Sequence, residues 1–152
     1  MSKAYLKSPI GILEIVASEN GICEINFVDK FEKAAIKDEN LKLCLDELKA
    51  YFKGELKKFS VRLDVKTTKF RAKIYEALQK VPYGETTTYA ALALAAGHKN
   101  AYRAAGSANA KNPLPIIIPC HRVLSSSGLG GYSGGEGLPT KIWLLEHEAK
   151  HK

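Results

Sequence analysis

The hydrophobic pattern changes near residue 66, and this change constrains the fold more than any other feature. Before it, three short runs rich in Leu, Ile and Val lie in the stretch YLKSPIGILEIVASENGICEINFV, separated by SPIG and SENG. Gly and Asn favour tight turns between strands, so these runs predict an antiparallel meander. After residue 66 the pattern predicts helices. We therefore expect two domains, residues 1–66 and residues 67–152.

The rest of the N-terminal domain is predicted to contain one helix and one further strand. Asp38 can cap the start of the helix, and Gly54 can close its end. The apolar stripe of this helix contains Leu41, Cys44, Leu45, Leu48 and Phe52. Apolar residues then alternate, as in a strand, at Phe59, Val61, Leu63 and Val65.

The C-terminal domain is predicted to be mostly helical. KFRAKIYEALQKV predicts a helix capped by Thr67 or Thr68, and PYGE then breaks the chain. TTTYAALALAAG and AYRAAGSANA predict two short helices joined by GHKN, which resembles a helix-turn-helix. The final segment PTKIWLLEHEAK predicts a helix whose inward side chains are Ile142, Trp143 and Leu145.

The second helix of the pair is poor in long side chains. AYRAAGSANA contains five alanines, one glycine and one serine, and Arg103 is its one cation. A helix that reads base edges in the major groove normally carries long polar side chains, whereas a slim helix suits the minor groove, about 6 Å wide. Tight packing against another helix is the alternative, and composition alone leaves both open.

Positive charge is concentrated in the C-terminal domain. The formal net charge is +7. Residues 1–66 contain 12 Lys and Arg against 11 Asp and Glu, whereas residues 67–152 contain 11 against 5. This asymmetry suits a polyanion such as nucleic acid, although many basic proteins bind none. No apolar run of about 18 residues is present and the start lacks a secretory signal, so we expect a cytoplasmic protein without membrane contact.

The stretch PIIIPCHRV places two reactive side chains after an apolar run that is predicted to be a buried strand or core segment. Cys120 is a nucleophile only as a thiolate, and His121 is the adjacent candidate base. Neighbouring side chains in extended backbone point apart, so a bridging water is an alternative to a direct hydrogen bond. A carboxylate would orient the imidazole. Glu148 is our candidate, although spacing alone does not select it from five acids.

The other cysteines and the glycine-rich loop carry weaker signals. Cys23 and Cys44 belong to no C-x-x-C pair, and no Cys/His cluster has zinc spacing. They are expected to be small core residues, although the sequence leaves a disulfide between them open. The loop SSSGLGGYSGGEG lacks the ending of a phosphate-binding loop. It is either a linker or a ligand loop in which Tyr132 and Ser133 offer hydroxyls.

From about Phe70 to Glu148 the chain closely resembles the O6-alkylguanine-DNA alkyltransferases. The resemblance rests on TYAALALAAGHKNAYRAAGSANAKNPLPIIIPCHRV, then GGYSGG and IWLLEHE, in which PCHRV matches the family's active-site motif. It implies an α/β N-terminal domain, ribonuclease-H-like with a small antiparallel sheet and helices. It also implies a mostly α C-terminal domain with a winged-helix-like helix-turn-helix.

The resemblance further implies DNA repair by a protein that reacts once. An alkyl group of O6-alkylguanine, and less well of O4-alkylthymine, would pass irreversibly from a base flipped out of duplex DNA to Cys120. His121 would act through a water as the base, and Glu148 would hold His121. Tyr89 would donate a proton toward the leaving guanine, which leaves more easily when protonated.

The resemblance also implies the residues of the substrate pocket and the DNA interface. Ser133 would hydrogen-bond the O6 atom, Tyr132 and Pro115 would line the pocket, and Asn112 would act as a hinge. Arg103 would fill the space that the flipped base leaves in the duplex. The implied DNA-binding residues are Arg103, Ala104, Gly106 and Ser107.

No cofactor is expected, and a monomer is the expected state. Family members with a structural zinc use N-terminal Cys and His ligands, whereas residues 1–66 contain two cysteines and no histidine, so we expect no metal. The alternatives are a damage-sensing protein without an acceptor cysteine, a regulator with a redox cysteine, and a Cys-His-Glu hydrolase. Cys120 argues against the first and the small-residue helix against the second. A single burst of reaction would exclude the third.

Overall fold

The computed structural model describes residues 1–152, which form two compact units. One unit contains residues 1–66 and His151, and the other contains residues 67–150 and Lys152. None of the helices has the length and apolar character needed to cross a membrane.

The first unit is a three-stranded sheet with one helix packed against it. Its elements are β1 (Ser2–Ser8), β2 (Gly11–Ser18), β3 (Gly21–Val28) and α1 (Glu39–Phe52). The strands run antiparallel in the order β1-β2-β3, which confirms the predicted meander. Two residues connect β1 to β2. The first residue of β2, Gly11, has a φ of +114°, which is unfavourable for other residues.

Local signals in the sequence determine both ends of α1. Asp38 accepts hydrogen bonds from the backbone N–H groups of Asn40 at 2.8 Å and Leu41 at 3.1 Å, as a helix cap does. Gly54 lies just past the end with a φ of +77°. The buried face of α1 is as predicted at Leu41, Cys44, Leu45 and Leu48, with Tyr51 rather than Phe52 completing it.

The strand predicted over residues 59–65 is wrong. Only Leu63 forms a bridge, parallel to Ile22 of β3. The carboxylate of Glu47 on α1 accepts hydrogen bonds from the N–H groups of Ser60 and Val61 instead. A buried side chain therefore satisfies backbone donors that a second strand would otherwise satisfy.

The second unit is mostly helical, as predicted. Its elements are α2 (Lys69–Gln79), β4 (Thr87–Thr88), α3 (Tyr89–Ala95), α4 (Tyr102–Ala110), a 3-10 turn (Cys120–Arg122), β5 (Val123–Leu124) and α5 (Leu138–Lys150). Thr68 caps α2 through the N–H of Arg71 at 3.2 Å. The turn between α3 and α4 contains two residues with positive φ, Gly97 and Asn100. The parallel pair β4–β5 joins the start of α3 to the end of the 3-10 turn.

The apolar run before Cys120 is buried but is not a strand. Residues 115–117 form a turn in which Ile116 has a φ of +78°, and Ile118 donates to the carbonyl of Leu114 at 2.9 Å. The proline on each side, Pro115 and Pro119, cannot donate to a strand partner. Of the two expectations for this run, the core segment is therefore confirmed.

The inward face of α5 differs from the predicted one. Ile142 is 37% exposed, and Trp143 and Leu145 are half-buried. The buried face of the helix instead carries Lys141, Leu144, His147 and Glu148. Because three of these four side chains are polar, apolar periodicity selects the wrong face of this helix.

Candidate active site

Cys120 stands at the start of the 3-10 turn that follows the buried isoleucine run. Its N–H donates to the carbonyl of Ile118 at 2.7 Å, and its own carbonyl accepts from Nδ2 of Asn109 at 3.3 Å. The thiol is free, and the residue is 6% exposed. The backbone of the reactive residue is therefore held on both sides by hydrogen bonds.

A cavity of about 250 Å³ lies beside Cys120. It is formed by the start of α3, one face of α4, the 3-10 turn and the glycine-rich loop. The volume lies just below the range of about 300–1,000 Å³ that is typical of drug-sized ligands, which suits one small aromatic group. The lining residues are Tyr89, Gly106, Asn109, Ala110, Cys120, Gly131, Tyr132 and Ser133.

His121 and Glu148 form a buried pair next to the cysteine. Nε2 of His121 lies 2.6 Å from Oε2 of Glu148, and both residues are at most 1% exposed. Because a carboxylate only accepts hydrogen bonds, the geometry assigns the proton of a neutral imidazole to Nε2. Nδ1 is then the acceptor nitrogen, and it is buried without a hydrogen-bond partner in the protein.

Arg122 holds the same carboxylate from the other side. Its Nε donates to Oε1 of Glu148 at 2.8 Å, and its NH2 group donates to Oε2 at 3.0 Å. NH1 of Arg122 donates to the carbonyl of Val81 at 2.7 Å. The N–H of Gly84 also donates to Oε1 of Glu148, at 3.2 Å. The carboxylate is therefore fixed by several donors, two of them from one guanidinium.

The charges of this cluster favour a neutral histidine. Burial opposes ionisation of Glu148, but hydrogen bonds from His121 and Arg122 outweigh burial and lower the pKa of the carboxyl. Burial lowers the pKa of His121, because the contact with Glu148 offsets it only in part. At neutral pH the imidazole is therefore uncharged and able to take a proton.

The Cys120 thiol is not ionised by its surroundings alone. Burial raises the pKa of Cys120, and the polar contact of Asn112 and the positive charge of Lys141 lower it by less. A thiolate at neutral pH therefore needs a base, and the unpaired Nδ1 of His121 supplies the acceptor atom.

Gly130 in the glycine-rich loop approaches Tyr89 closely, whereas a side chain at Gly106 would make only an ordinary van der Waals contact with it. A Cβ atom at Gly130 would lie 3.2 Å from the Tyr89 hydroxyl, and one at Gly106 would lie 3.7 Å from its ring. Tyr89 is thus placed between α4 and the glycine-rich loop. The hydroxyl of Ser133 donates to the carbonyl of Ala110 at 2.8 Å, which joins the same loop to the end of α4.

Two expected pocket residues lie outside the set that lines the cavity. Pro115 is buried at the start of the isoleucine run, and the residues that line the cavity do not include it. Nδ2 of Asn112 donates to the carbonyl of Ile118 at 2.7 Å, and its Oδ1 accepts from the N–H of Leu114 at 2.9 Å. These bonds fix the segment that leads to Cys120.

The residues expected at the DNA interface lie on α4. Arg103, Ala104 and Ser107 are exposed, and the Arg103 guanidinium lies 6.0 Å from the centre of the Tyr102 ring. Gly106 lies instead between the surface and the cavity, which it lines. The outer face of α4 is therefore narrow, with one long cation.

Three polar residues of the site are not predicted by the sequence patterns. Arg122 holds Glu148, Asn109 holds the Cys120 backbone, and Lys141 lies fully buried beneath the glycine-rich loop. Arg122 is part of the PCHRV motif, which is the one signal that points to it. No three His, Cys, Asp or Glu side chains lie close enough together to bind a metal ion.

The fold and the site define a class of protein: a small sheet domain and a helix-turn-helix domain in which a free thiol and a buried His–Glu pair stand beside a cavity. Family models match both parts of the chain. Residues 1–65 match the ribonuclease-like domain of 6-O-methylguanine DNA methyltransferase, and residues 69–150 match its DNA-binding domain.

Individual relatives are similar to this chain over nearly its whole length. A methylated-DNA–protein-cysteine methyltransferase of Methanosarcina acetivorans is 40% identical, covering 97% of this chain and 98% of the relative. The crystal structure of Mycobacterium tuberculosis O6-methylguanine methyltransferase has a TM-score of 0.86 at 36% identity, covering 99% of this chain and 93% of that one. Mycobacterium tuberculosis OGT in complex with DNA gives a TM-score of 0.86 as well, at 36% identity over 98% of this chain and 93% of that one.

The chain belongs to the 6-O-methylguanine DNA methyltransferase family. It is a methylated-DNA–protein-cysteine methyltransferase, which repairs DNA by moving an alkyl group to a cysteine.

Proposed function

We propose that Cys120 is the acceptor of the alkyl group and that its substrate is O6-alkylguanine in duplex DNA. The observation that carries this proposal is the free thiol at the wall of the cavity, next to the buried His121–Glu148 pair. Cys44 has no comparable surroundings, because it is fully buried in the core and burial raises its pKa to about 12.

The first step is ionisation of the thiol. His121 is neutral, and Glu148 holds the Nε2–H, so Nδ1 takes the Cys120 proton through a water. Glu148 then stabilises the imidazolium that forms, as the carboxylate does in a nucleophile–His–acid set. Arg122 keeps the carboxylate ionised and in place for this task.

The second step is an in-line substitution at the alkyl carbon. The sulfur of Cys120 forms a bond to this carbon as the bond from carbon to O6 breaks, and the electron pair of that bond goes to the guanine. A proton must then reach the guanine. Tyr89, at the cavity wall, is the proposed donor, and the proton taken by His121 restores the overall balance. The thioether has no route back to a thiol, so each molecule reacts once.

Substrate binding is assigned to the glycine-rich loop. Tyr132 lines the cavity, and burial raises the pKa of its hydroxyl well above the usual value, so the group remains a hydrogen-bond donor. Ser133 lines the cavity beside it and is proposed to bind the O6 atom, giving up its bond to the Ala110 carbonyl.

DNA is proposed to bind along the outer face of α4. The DNA-bound Mycobacterium tuberculosis relative and the excess positive charge of residues 67–152 support this proposal. Ala104 and Ser107 allow the backbone to approach the minor groove, and Arg103 enters the duplex where the target base swings out.

We also propose a monomer in the cytoplasm. All three cysteines are free thiols, including Cys23 and Cys44, which suits a reducing compartment. A protein that is consumed by one lesion needs only one active site per molecule, which a single chain can supply.

The direct test is the intact mass of the protein after incubation with duplex DNA that contains O6-methylguanine. The protein is expected to gain one methyl group, and Cys120→Ala is expected to gain none while still binding the duplex. Cys23→Ala serves as the matched control and should react as the wild type does. A methylated Cys120→Ala variant would contradict the proposal.

The role of Arg103 needs a comparison of two substrates. Arg103→Ala is expected to slow transfer from a duplex more than transfer from the free base O6-benzylguanine, because only the duplex requires base flipping. Lys42→Ala, an exposed cation on α1, is the control and should change neither rate. Equal losses on both substrates would contradict the flipping role.

A further inference from the structure

Tyr102 is a large aromatic residue on a helix face that otherwise exposes mainly small side chains. It is the first residue of α4, and its relative exposure is 50%. Arg103 is the other long side chain of this face, whereas the remaining exposed positions are Ala104, Ser107 and Ala110. Because the ring lies outside the core, packing within the protein does not account for a residue of this size here.

The ring of Tyr102 is in contact with the side chain that is proposed to enter the duplex. Cζ of Arg103 lies 6.0 Å from the centre of the ring, at the outer limit for a cation–π contact. Successive residues of a helix do not face each other, so this contact requires the two side chains to lean toward one another. The ring therefore restricts the directions that the guanidinium takes before DNA binds.

The charge around this ring suits a polyanion. The sequence contains no acidic residue between Glu85 and Glu136, whereas Lys99 is exposed in the turn that precedes α4. The first turn of α4 contains no acidic residue, and no side chain caps its N–H groups. Tyr102 thus lies on a surface where a DNA backbone can approach without like-charge repulsion.

We propose that Tyr102 is a positioning residue for base flipping. Its ring holds the Arg103 side chain toward the duplex and then packs against the sugars and base edges of the minor groove beside the lesion. The inference rests on the proposed function, because it concerns the same outer face of α4. It assigns a task to a residue that is absent from the DNA-binding residues expected from the sequence.

An aromatic ring is suited to this task in the minor groove. Proteins that bind there often place apolar side chains beside base steps that they unstack. A ring contacts any base or sugar, so the interaction does not depend on the sequence around the lesion. It displaces no counterions from the phosphates, so its contribution to duplex affinity should not depend on salt.

The position of Tyr102 separates this role from the chemistry at the sulfur. The residues of α4 that line the cavity are Gly106, Asn109 and Ala110, and they do not include Tyr102. A free base that enters the cavity needs no duplex to be opened. Loss of the ring should therefore slow transfer from a duplex and leave transfer from a free base unchanged.

The experiment uses the full chain with three substitutions of Tyr102 and one control. Tyr102→Ala removes the ring, Tyr102→Phe keeps it, and Tyr102→Leu keeps apolar bulk without a π face. Leu43→Ala changes an exposed apolar residue on α1 and is the control. Circular dichroism checks folding. Intact mass follows methyl transfer from a duplex with O6-methylguanine and benzyl transfer from free O6-benzylguanine. Fluorescence anisotropy gives duplex affinity in about 50 mM and 200 mM salt.

Tyr102→Ala is expected to slow methyl transfer from the duplex at least fivefold and to keep benzyl transfer within twofold of the wild type. It should lower duplex affinity by the same factor at both salt concentrations. Tyr102→Phe should stay within twofold of the wild type in every assay. Tyr102→Leu should recover less than Tyr102→Phe, because leucine offers the guanidinium no π face. Leu43→Ala should match the wild type throughout.

A double-mutant cycle tests the link between the ring and the guanidinium. If Tyr102 acts through Arg103, the variant with both residues changed to Ala should lose clearly less duplex transfer than the product of the two single losses. A loss equal to that product would overturn the link, because the two side chains would then act independently.

Other results would overturn the inference or its basis. A folded Tyr102→Ala variant with the wild-type rate on the duplex removes the positioning role, and equal losses on duplex and free base mean that the ring only supports the fold. If Tyr102→Ala does not fold, equal rates for Tyr102→Leu and Tyr102→Phe overturn the role of the ring. Absence of both methyl and benzyl transfer in the wild type instead refutes the proposed function.

Discussion

At the scale of single residues, the reactivity of Cys120 depends on a neighbour in the chain and a carboxylate from α5. Burial keeps the thiol protonated, and the pair formed by His121 and Glu148 supplies a base with its acceptor nitrogen free. The PCHRV motif identifies the cysteine and the histidine from the sequence. The carboxylate follows only from the resemblance, because its contact joins residues 27 positions apart.

His121→Ala is expected to slow methyl transfer at pH 7 by roughly 100-fold or more, the usual contribution of a general base. The pKa of Cys120 is raised, so the thiolate fraction grows as the pH rises, and the deficit of the variant should shrink toward high pH. Transfer rates measured from pH 6 to 10 test this, with His98→Ala as the control. A deficit that does not change with pH would contradict the role of His121 as base.

The three thiols are expected to differ in reactivity. Burial raises the pKa of Cys44 to about 12, so this thiol is almost entirely protonated at neutral pH. Iodoacetamide at pH 8 should therefore modify Cys44 last, as followed by peptide mass. Modification of Cys44 ahead of the half-buried Cys23 would show that the core of the first unit opens more readily than the structure indicates.

At the scale of elements, α4 contributes both to the cavity wall and to the exposed face that is proposed to bind DNA. Ala105 and Ala108 are fully buried, Gly106 and Asn109 line the cavity, and Ala104 is exposed. Small side chains on every face account for the composition of AYRAAGSANA. The two alternatives that composition leaves open, tight packing and a slim outer face, are therefore both features of this helix.

Ala104→Glu should weaken duplex binding at least tenfold, because it adds both bulk and negative charge on the proposed DNA face. Transfer from free O6-benzylguanine should stay within twofold of the wild type, since residue 104 is exposed outside the cavity. Fluorescence anisotropy of a labelled duplex measures the first effect. Ala72→Glu on α2 is the matched control, and an equal loss of affinity there would contradict the assignment of the DNA face.

The elements that the sequence predicts correctly are those determined by nearby residues. The meander follows from turn residues, and α1 follows from the Asp38 cap, its apolar stripe and Gly54. The failures involve distant partners. Glu47 on α1 replaces the strand partner of Ser60, and carbonyls of β5 and the glycine-rich loop bind Lys141 on the inner face of α5. No local pattern contains these contacts.

At the scale of the whole molecule, the stability of the second unit is linked to pH through one buried carboxylate. The folded-state pKa of Glu148 is lowered relative to an unfolded value of about 4.3. The sign follows from linkage: the stabilisation is fully present above the unfolded pKa and is lost as the pH falls below it toward the folded pKa.

Glu148→Gln is expected to lower the free energy of unfolding at pH 7 by about 3–5 kcal/mol, because it leaves the Arg122 charge buried without its partner. Between pH 7 and pH 3 the variant should lose less stability than the wild type, which has a carboxylate to protonate. The single tryptophan, Trp143 on α5, reports unfolding of this unit by fluorescence in urea. Glu146→Gln, exposed on the same helix, is the control. An equal acid dependence in wild type and Glu148→Gln would contradict the linkage.

The central claim is that one thiol accepts one alkyl group. The most direct measurement is a titration of the protein with an excess of O6-methylguanine duplex, followed by counting repaired lesions and mapping the methyl group by peptide mass. We predict that repair stops at one lesion per protein molecule and that the methyl group lies on Cys120. Continued turnover, or a methyl group on Cys23 or Cys44, would contradict the account.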